Sequence, residues 1–87
     1  MSRIVVLGGG ESGVGAAVLA QKKGFDVFLS DAGQIKHHYQ EMLNQYGIEW
    51  EDGGHTAELV LNAHEIIKSP GIPDDAPMII ACKEKGI

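Results

Sequence analysis

Three glycines near the start of the chain have the spacing of a phosphate-binding turn. Gly8, Gly10 and Gly13 fit the pattern G-x-G-x-x-G, which follows the apolar run 4–7 and precedes a segment rich in small residues. The first glycine of such a turn permits a sharp bend after a strand. The second lets the backbone approach a phosphate, and the third lets a helix pack closely against the sheet. The free N–H groups at the start of that helix would then face an anion.

Two polar residues lie inside this turn. The carboxylate of Glu11 would repel a phosphate unless it points into solvent, so we expect Glu11 to contribute only its backbone. Ser12 can supply a hydroxyl or an N–H group to an anion, or it can simply cap the helix. The turn therefore predicts an anion site built mainly from main-chain atoms.

Asp31 lies eighteen residues after Gly13, at the predicted end of the second strand. An acidic residue at this place in a dinucleotide site accepts hydrogen bonds from ribose hydroxyls. It could equally accept one from the imide N–H of a uracil. The alternative is a turn-forming aspartate, because Gly33 follows two residues later. The position relative to the glycine turn favours contact with a ligand.

A stiff loop with the sequence Ser-Pro-Gly-Ile-Pro follows the fourth predicted strand, at residues 69–73. Ser69 offers a hydroxyl, and the backbone at Gly71 can approach a flat base. The two prolines restrict the loop before binding, which lowers the entropy cost of ordering it. A plain connection between a strand and a helix explains the same residues equally well.

The order of the predicted elements brings these three loops together. Strands and helices alternate as β-α-β-α-β-α-β-α, which favours a Rossmann-like, doubly wound α/β fold with a parallel sheet between two helical layers. With strand order 3-2-1-4, the glycine turn, the turn at 31–33 and the loop at 69–71 meet above the first strand. The predicted strands are 3–7, 26–30, 48–51 and 65–68. The predicted helices are 14–23, 35–46, a short helix that Thr56 caps and that ends at 61, and 76–85 with Asp75 as its cap.

Aromatic and apolar residues of the second predicted helix repeat at helical spacing. We expect this face, together with Trp50 of the third strand, to belong to the core rather than to a stacking platform for bases. The residues of the face are Ile35, Tyr39, Met42, Leu43 and Tyr46.

Length and charge restrict the function of the chain. Its 87 residues suit one small domain, 1–87, and the net charge of −5 argues against a nucleic-acid surface and against a polybasic membrane patch. No signal peptide or membrane-spanning stretch is evident. The single cysteine, Cys82, suits a reducing cytoplasm and is expected to be a buried structural thiol. Ile87 follows a predicted helix end and resembles the first residue of a fifth strand, so we expect a piece of a longer protein.

No catalytic set of side chains can be placed over the predicted site. The sequence has no G-x-x-x-x-G-K-[ST] loop for ATP, no Ser–His–Asp or Cys–His arrangement and no acid–base pair. The spacing of the four histidines does not suit a metal site, and we expect His37, His38, His55 and His64 at the solvated surface. These features are typical of a binding module.

Taken together, the quoted motifs resemble the N-terminal domain of the Mur ligase family. They are the glycine turn with Glu11-Ser12-Gly13, Asp31 after strand two, and Ser69-Pro70-Gly71-Ile72 after strand four. The last of these separates the chain from ordinary NAD-binding domains, and favours the D-glutamate-adding MurD branch of the family. The resemblance covers essentially the whole chain, as the first of three domains of the family's enzymes.

The resemblance implies a substrate and a set of contacts. The domain would hold the UDP part of UDP-N-acetylmuramoyl-L-alanine, with the diphosphate on the backbone N–H groups of Glu11-Ser12-Gly13. Asp31 and Ala32 would face the uracil, and the backbone of Gly71 would press against it. The family often has hydroxyl or basic residues where this chain has Ala32 and Gly33, so the resemblance does not imply side-chain contacts at these two positions.

The resemblance also implies what the remaining domains supply. The parent would be a cytoplasmic, ATP-dependent ligase of peptidoglycan synthesis, and hence of cell shape and division. It would activate the alanyl carboxylate as an acyl phosphate, which the amine of D-glutamate then attacks. ATP, magnesium and D-glutamate would bind to the other two domains, so this chain alone needs no cofactor and would be inactive.

Two other functions fit the same residues. The glycine turn and Asp31 suit an NAD-binding domain of a dehydrogenase or of a nucleotide-sensing regulatory protein equally well. An interaction domain with an empty Rossmann-like site is the third hypothesis, because catalytic groups are missing. Binding of UDP, of NAD or of neither would distinguish the three.

Overall fold

The computed structural model describes residues 2–87 and has one parallel sheet of four strands. The strand order is β3-β2-β1-β4, which confirms the predicted order. In the register of the sheet, Leu7 lies beside Ser30 on one side and beside Lys68 on the other. The strands are β1 (Arg3–Leu7), β2 (Asp26–Ser30), β3 (Glu49–Glu51) and β4 (Glu65–Lys68).

The two central strands are buried on both faces, as their continuous apolar runs predict. Side chains of β1 alternate between two core clusters, with Ile4 and Val6 in one and Val5 and Leu7 in the other. The first cluster includes residues of α1 (Glu11–Lys22) and α2 (His37–Gln45). The second includes residues of α3 (Ala57–Val60) and α4 (Pro77–Glu84). One pair of helices therefore covers each face, and the three-layer α/β/α fold is confirmed.

Helix boundaries differ from the predictions at three N-termini, and β3 begins one residue later than predicted. Helix α2 begins at His37 rather than at residue 35, because buried Ile35 precedes the helix. Helix α1 begins at Glu11 rather than at residue 14, and its N-cap is Gly10. The apolar periodicity marks only the buried face, which begins later than the helix itself. Helix α4 has Ala76 as its N-cap instead of Asp75, with Pro77 in the first turn, where a missing N–H costs nothing.

The predicted apolar face of α2 is only partly buried. Leu43 is fully enclosed, whereas Met42 and Tyr46 are 40% and 37% exposed, so their assignment to the core was wrong. Tyr39 and Trp50 are half-buried and pack against the first core cluster. Leu43 is thus the main contact between α2 and the core, because the outer side of α2 faces solvent.

At the end of the chain, Cys82 is buried, as predicted, and burial raises the pKa of its thiol. Ile87 donates its N–H to the carbonyl of Cys82 at 3.0 Å and packs half-buried against the second core cluster. A fifth strand stays a prediction. Within residues 2–87, no helix is both long and apolar enough to cross a membrane.

Candidate functional site

The three predicted loops meet at the carboxyl end of β1. The N–H of Gly8 donates to the carbonyl of Ser30 at 2.9 Å, and the N–H of Ser69 donates to the carbonyl of Leu7 at 2.9 Å. Gly8 has a φ of 110°, and a Cβ added there would lie 2.7 Å from the Cβ of Ser69. Only glycine allows both the left-handed turn and this close approach. The predicted convergence of the loops is confirmed.

The glycine turn exposes the start of α1. Gly10, Glu11 and Ser12 are exposed, and a Cβ added to Gly10 would meet nothing within 4 Å. The first N–H with an intrahelical partner is that of Val14, which donates to the carbonyl of Gly10 at 2.9 Å. The preceding N–H groups of the first turn have no carbonyl of their own helix to bind. Ser12 makes no capping hydrogen bond, so the capping interpretation was wrong.

Gly13 holds the helix against the turn. A Cβ at this position would lie 1.8 Å from the carbonyl oxygen of Gly8, a distance that no side chain tolerates. Helix and turn therefore touch backbone to backbone, which is the role that the third glycine of the motif predicts. This contact fixes the direction in which the free N–H groups point.

The Asp31 carboxylate binds two loops at once. One oxygen accepts the N–H of Gly9 at 2.7 Å, and the other accepts the N–H of Gly33 at 2.8 Å. The turn-forming interpretation is therefore confirmed, and the contact to Gly9 links the same side chain to the glycine turn. Each carboxylate oxygen can accept a further hydrogen bond. Contact of half-buried Asp31 with a ligand stays a prediction.

A polar groove of about 240 Å³ lies on the α1–α2 side of these loops. Gly10, Glu11 and Asp31 line it together with Lys36, which belongs to none of the predicted motifs. The ammonium group of Lys36 adds a positive charge to a wall that otherwise carries two carboxylates. The groove is lined by Gly9, Gly10, Glu11, Asp31, Gln34, Lys36 and Tyr39.

An apolar pocket of about 490 Å³ lies on the opposite side, between the same carboxyl edge and α4. Ala32 is the predicted site residue that lines it. Because flat aromatic rings favour apolar walls, the pocket suits a base better than the groove does. It is lined by Leu7, Ala32, Gly54, His55, Ile72, Pro73, Ala76, Pro77, Met78 and Ile79.

The loop after β4 is fastened by a lysine. The ammonium of Lys68 donates to the carbonyl of Ile72 at 2.7 Å and lies 3.3 Å from the carboxylate of Asp74. Ser69 is half-buried beside Gly8, while Gly71 is exposed, with open space where a Cβ would stand. The two prolines predict a stiff loop, and the contacts of the Lys68 side chain restrict this loop further.

A hydrogen-bonded network joins the ends of β2 and β3. The hydroxyl of Ser30 lies 2.8 Å from Oε2 of Glu51 and 2.6 Å from Nδ1 of His55. The N–H and the hydroxyl of Thr56 also donate to Glu51, at 2.7 and 2.6 Å. Burial alone would raise the pKa of Glu51, but the bonds from Thr56 and Ser30 and the nearby His55 together lower it.

The histidines have separate surroundings. His37 lies 2.6 Å from Glu41, His38 packs against Tyr39, and Nδ1 of His64 accepts the N–H of Arg3. Among residues 2–87, no three His, Cys, Asp or Glu side chains come together as metal ligands would. His55 is half-buried, so its assignment to the solvated surface was wrong. The Gly53-Gly54 turn directly after β3 was the signal for its place at the carboxyl edge.

Comparison with known proteins gives a consistent result. A family model described as the MurD N-terminal domain matches residues 3–78. The chain is 59% identical over 86 residues to the UDP-N-acetylmuramoylalanine–D-glutamate ligase of Bacteroides thetaiotaomicron, covering 99% of this chain and 19% of that protein. It is 62% identical to the ligase of the same name from Porphyromonas gingivalis, covering 97% of this chain and 19% of the relative. The chain therefore spans about a fifth of the length of these relatives.

A solved structure gives the same match in three dimensions. The chain superimposes on a pseudomurein peptide ligase type C from Methanothermus fervidus with a TM-score of 0.86 and 26% identity. The match covers 99% of this chain and 18% of that protein.

Proposed function

The chain belongs to the MurD N-terminal domain family, and from that premise we propose that it binds the UDP part of UDP-N-acetylmuramoyl-L-alanine. The observation that carries the proposal is the contact of the glycine turn with both neighbouring loops. The first turn of α1 lines the polar groove, and the apolar pocket lies on the other side of the same carboxyl edge. A nucleoside diphosphate has the matching parts, a flat base and an anionic tail.

The diphosphate is assigned to the start of α1. Oxygens of the phosphates would accept hydrogen bonds from the N–H groups of Glu11, Ser12 and Gly13, at the positive end of the helix dipole. The Glu11 side chain is exposed and can turn into solvent. Lys36 in the adjacent groove supplies a cation, which offsets part of the chain's net negative charge near the ligand.

The uridine is assigned to the other side of the carboxyl edge. The base would enter the apolar pocket beside Ala32, with the backbone of Gly71 and the Ser69 hydroxyl near its rim. Asp31, which lines the polar groove at the same edge, would accept hydrogen bonds from the ribose. Because Asp31 and Lys68 already hold the loops in place, little ordering is needed when the ligand binds.

The parent protein would be an ATP-dependent ligase that adds D-glutamate in the cytoplasmic part of peptidoglycan synthesis. In this proposal residues 1–87 form its substrate-binding first domain, and the remaining domains bind ATP, magnesium and D-glutamate. The 87 residues carry the binding step only, so we expect no ligation by this chain alone.

The test is a titration of the ¹⁵N-labelled chain with UDP and, separately, with NAD, followed by backbone amide shifts. UDP should shift Gly10, Ser12, Ala32 and Gly71, whereas Gly47 at the other end of the sheet should serve as an unshifted control. Shifts with NAD alone would instead support an NAD-binding domain. No shifts with either nucleotide at millimolar concentration would contradict nucleotide binding and favour an interaction domain.

A further inference from the structure

His55 is the polar member of an otherwise apolar pocket. Among the residues that line this pocket, it alone has a side chain with nitrogen or oxygen atoms. Its position is set by the turn before it, because the N–H of Gly53 donates to the carbonyl of Gly33 at 2.8 Å and the N–H of Gly54 to that of Asp31 at 3.3 Å. The imidazole therefore lies on the same edge as the proposed uridine contacts.

The Ser30–Glu51 pair determines which nitrogen of this imidazole carries the proton. The Ser30 hydroxyl is fully buried and has a single hydrogen, which faces Oε2 of Glu51 at 2.8 Å. The lowered pKa of Glu51 keeps this carboxylate ionised near neutral pH, so it can only accept hydrogen bonds. The Ser30 oxygen must then accept from His55, which places the proton on Nδ1. In the neutral ring, Nε2 is consequently a bare acceptor.

This acceptor has no partner within the protein. Nε2 lies on the side of the ring away from Ser30, and no hydrogen bond to it exists among residues 2–87. Because no buried side-chain nitrogen or oxygen among these residues lacks a partner, Nε2 is accessible to solvent. Asp31 faces the polar groove rather than this pocket, and both of its oxygens already bind backbone N–H groups. A base that entered the pocket with an N–H donor would find Nε2 as the side-chain acceptor in the pocket wall.

We propose that Nε2 of His55 accepts a hydrogen bond from the imide N–H of the uracil ring, and that Ser30 and Glu51 act as positioning residues that hold the required tautomer. This inference rests on the proposed function, because it assigns the base of UDP to the apolar pocket. It makes His55 a specificity-determining residue, since a base without an N–H at this place would leave the acceptor buried and unpaired.

A matched pair of substitutions separates the two nitrogens of the ring. The amide of Asn in His55→Asn occupies the place of Nδ1, so it retains the contact to Ser30 and removes the acceptor. The longer amide of Gln in His55→Gln brings an oxygen to the place of Nε2. We expect His55→Asn to weaken UDP binding about tenfold and His55→Gln to weaken it much less, as measured by calorimetric titration.

A modified ligand tests the same hydrogen bond from the other side. UDP methylated at N3 of the uracil lacks the donor, so it should bind about tenfold more weakly than UDP to the wild-type chain. In His55→Asn the penalty for methylation should largely disappear, because the acceptor is already gone. An unchanged methylation penalty in His55→Asn would overturn the assignment of His55.

The outcomes distinguish the inference from the function on which it rests. Equal UDP affinity of the wild-type chain and His55→Asn would overturn the role of His55 and leave UDP binding intact. Absence of UDP binding to the wild-type chain would overturn both. The tautomer is tested without any variant, because long-range ¹⁵N spectra of the free protein should show Nδ1 protonated. A proton on Nε2 of the neutral ring would contradict the proposal even if a variant failed to fold.

Discussion

At the scale of single residues, two carboxylates hold the carboxyl edge of the sheet in place before a ligand arrives. Asp31 binds the glycine turn and its own turn, and Glu51 binds Ser30 and Thr56. The hydrogen bonds that Glu51 accepts stabilise its charged form and lower its pKa. The same bonds that arrange the site therefore contribute to the stability of the fold.

The pH dependence of stability should reveal the contribution of Glu51. Its pKa is lower in the folded chain than the ordinary value of 4.5, so its contribution is present above pH 4.5 and is lost as the pH falls through the folded pKa. Glu51→Gln should reduce the free energy of unfolding at pH 7 by about 0.5–1 kcal/mol, a modest value because the side chain is partly solvated. Urea unfolding at several pH values measures this difference, which should vanish on acidification.

Glu49 offers a matched control on the same strand. It is exposed, and no hydrogen bond of its side chain exists among residues 2–87, so Glu49→Gln should change stability by less than about 0.5 kcal/mol at any pH. A difference between Glu51→Gln and wild type that persisted at the lowest pH would show that the charge of Glu51 is not what stabilises the network.

Single residues also show where prediction from the sequence stops. The turn at Asp31 could be predicted, because Gly33 is a local signal two residues away. The burial of His55 depends on Ser30, 25 residues earlier in the chain, and no local pattern reports such a contact. Lys36 was missed for the same reason, since its place in the groove depends on how α2 packs beside the glycine turn.

At the scale of elements, strands were easier to predict than helix ends. The bounds of β1, β2 and β4 agree with the predictions, because continuous apolar runs end sharply at turn residues. Helix α1 begins three residues before the predicted start, since its first turn is exposed and carries no apolar signal. Residues 11–13, which the prediction left outside the helix, are the ones proposed to bind the diphosphate. The site therefore lies at the helix boundary that was predicted incorrectly.

Two glycines of α1 should respond oppositely to the same substitution. Gly13→Ala would place a Cβ 1.8 Å from the Gly8 carbonyl, so helix and turn must separate, and we expect a loss of about 3 kcal/mol in the free energy of unfolding. Gly15→Ala meets nothing within 4 Å on an exposed helical face and should stabilise the chain by about 0.5–1 kcal/mol. Urea unfolding followed by circular dichroism measures both values.

The pair makes the prediction specific to the close contact rather than to helix propensity. Both substitutions raise helix propensity equally, so any difference between them arises from the surroundings of the Cβ. Equal stabilities of the two variants would contradict the backbone-to-backbone packing of α1 on the glycine turn.

At the scale of the whole molecule, topology determines where the site lies. Parallel strands in the order β3-β2-β1-β4 bring three loops to one edge, and this could be predicted from the alternation of strands and helices. The apolar pocket could not be predicted from the sequence, because its walls combine α4 with residues near Leu7, Ala32 and His55. The shape of this pocket depends on how the helical layers pack on the sheet, and the apolar periodicity of the sequence does not specify that packing.

The two outer strands differ in how well their free edges are protected. Within residues 2–87, β3 and β4 each pair with one neighbour. The short strand β3 has exposed Glu49 and half-buried Glu51 at its two ends, and like charges oppose the approach of a second strand edge. By contrast, β4 has Glu65 and Lys68 at its two ends, with Ile66 and Ile67 between them, and charges of opposite sign do not oppose antiparallel pairing with a second copy. The edge of β4 is therefore the less protected of the two.

We expect the chain to self-associate through β4 as its concentration rises, because the unpaired N–H and carbonyl groups of an uncovered strand edge can pair with another chain. Sedimentation velocity over a concentration series should show species larger than a monomer. Hydrogen exchange should become slower for amides of β4 at high concentration, while amides of α1 serve as the internal control. A single monomeric species at millimolar concentration would contradict self-association. Protection that increased in β3 instead would place the contact at the edge with like charges and contradict the role of side-chain charge in guarding it.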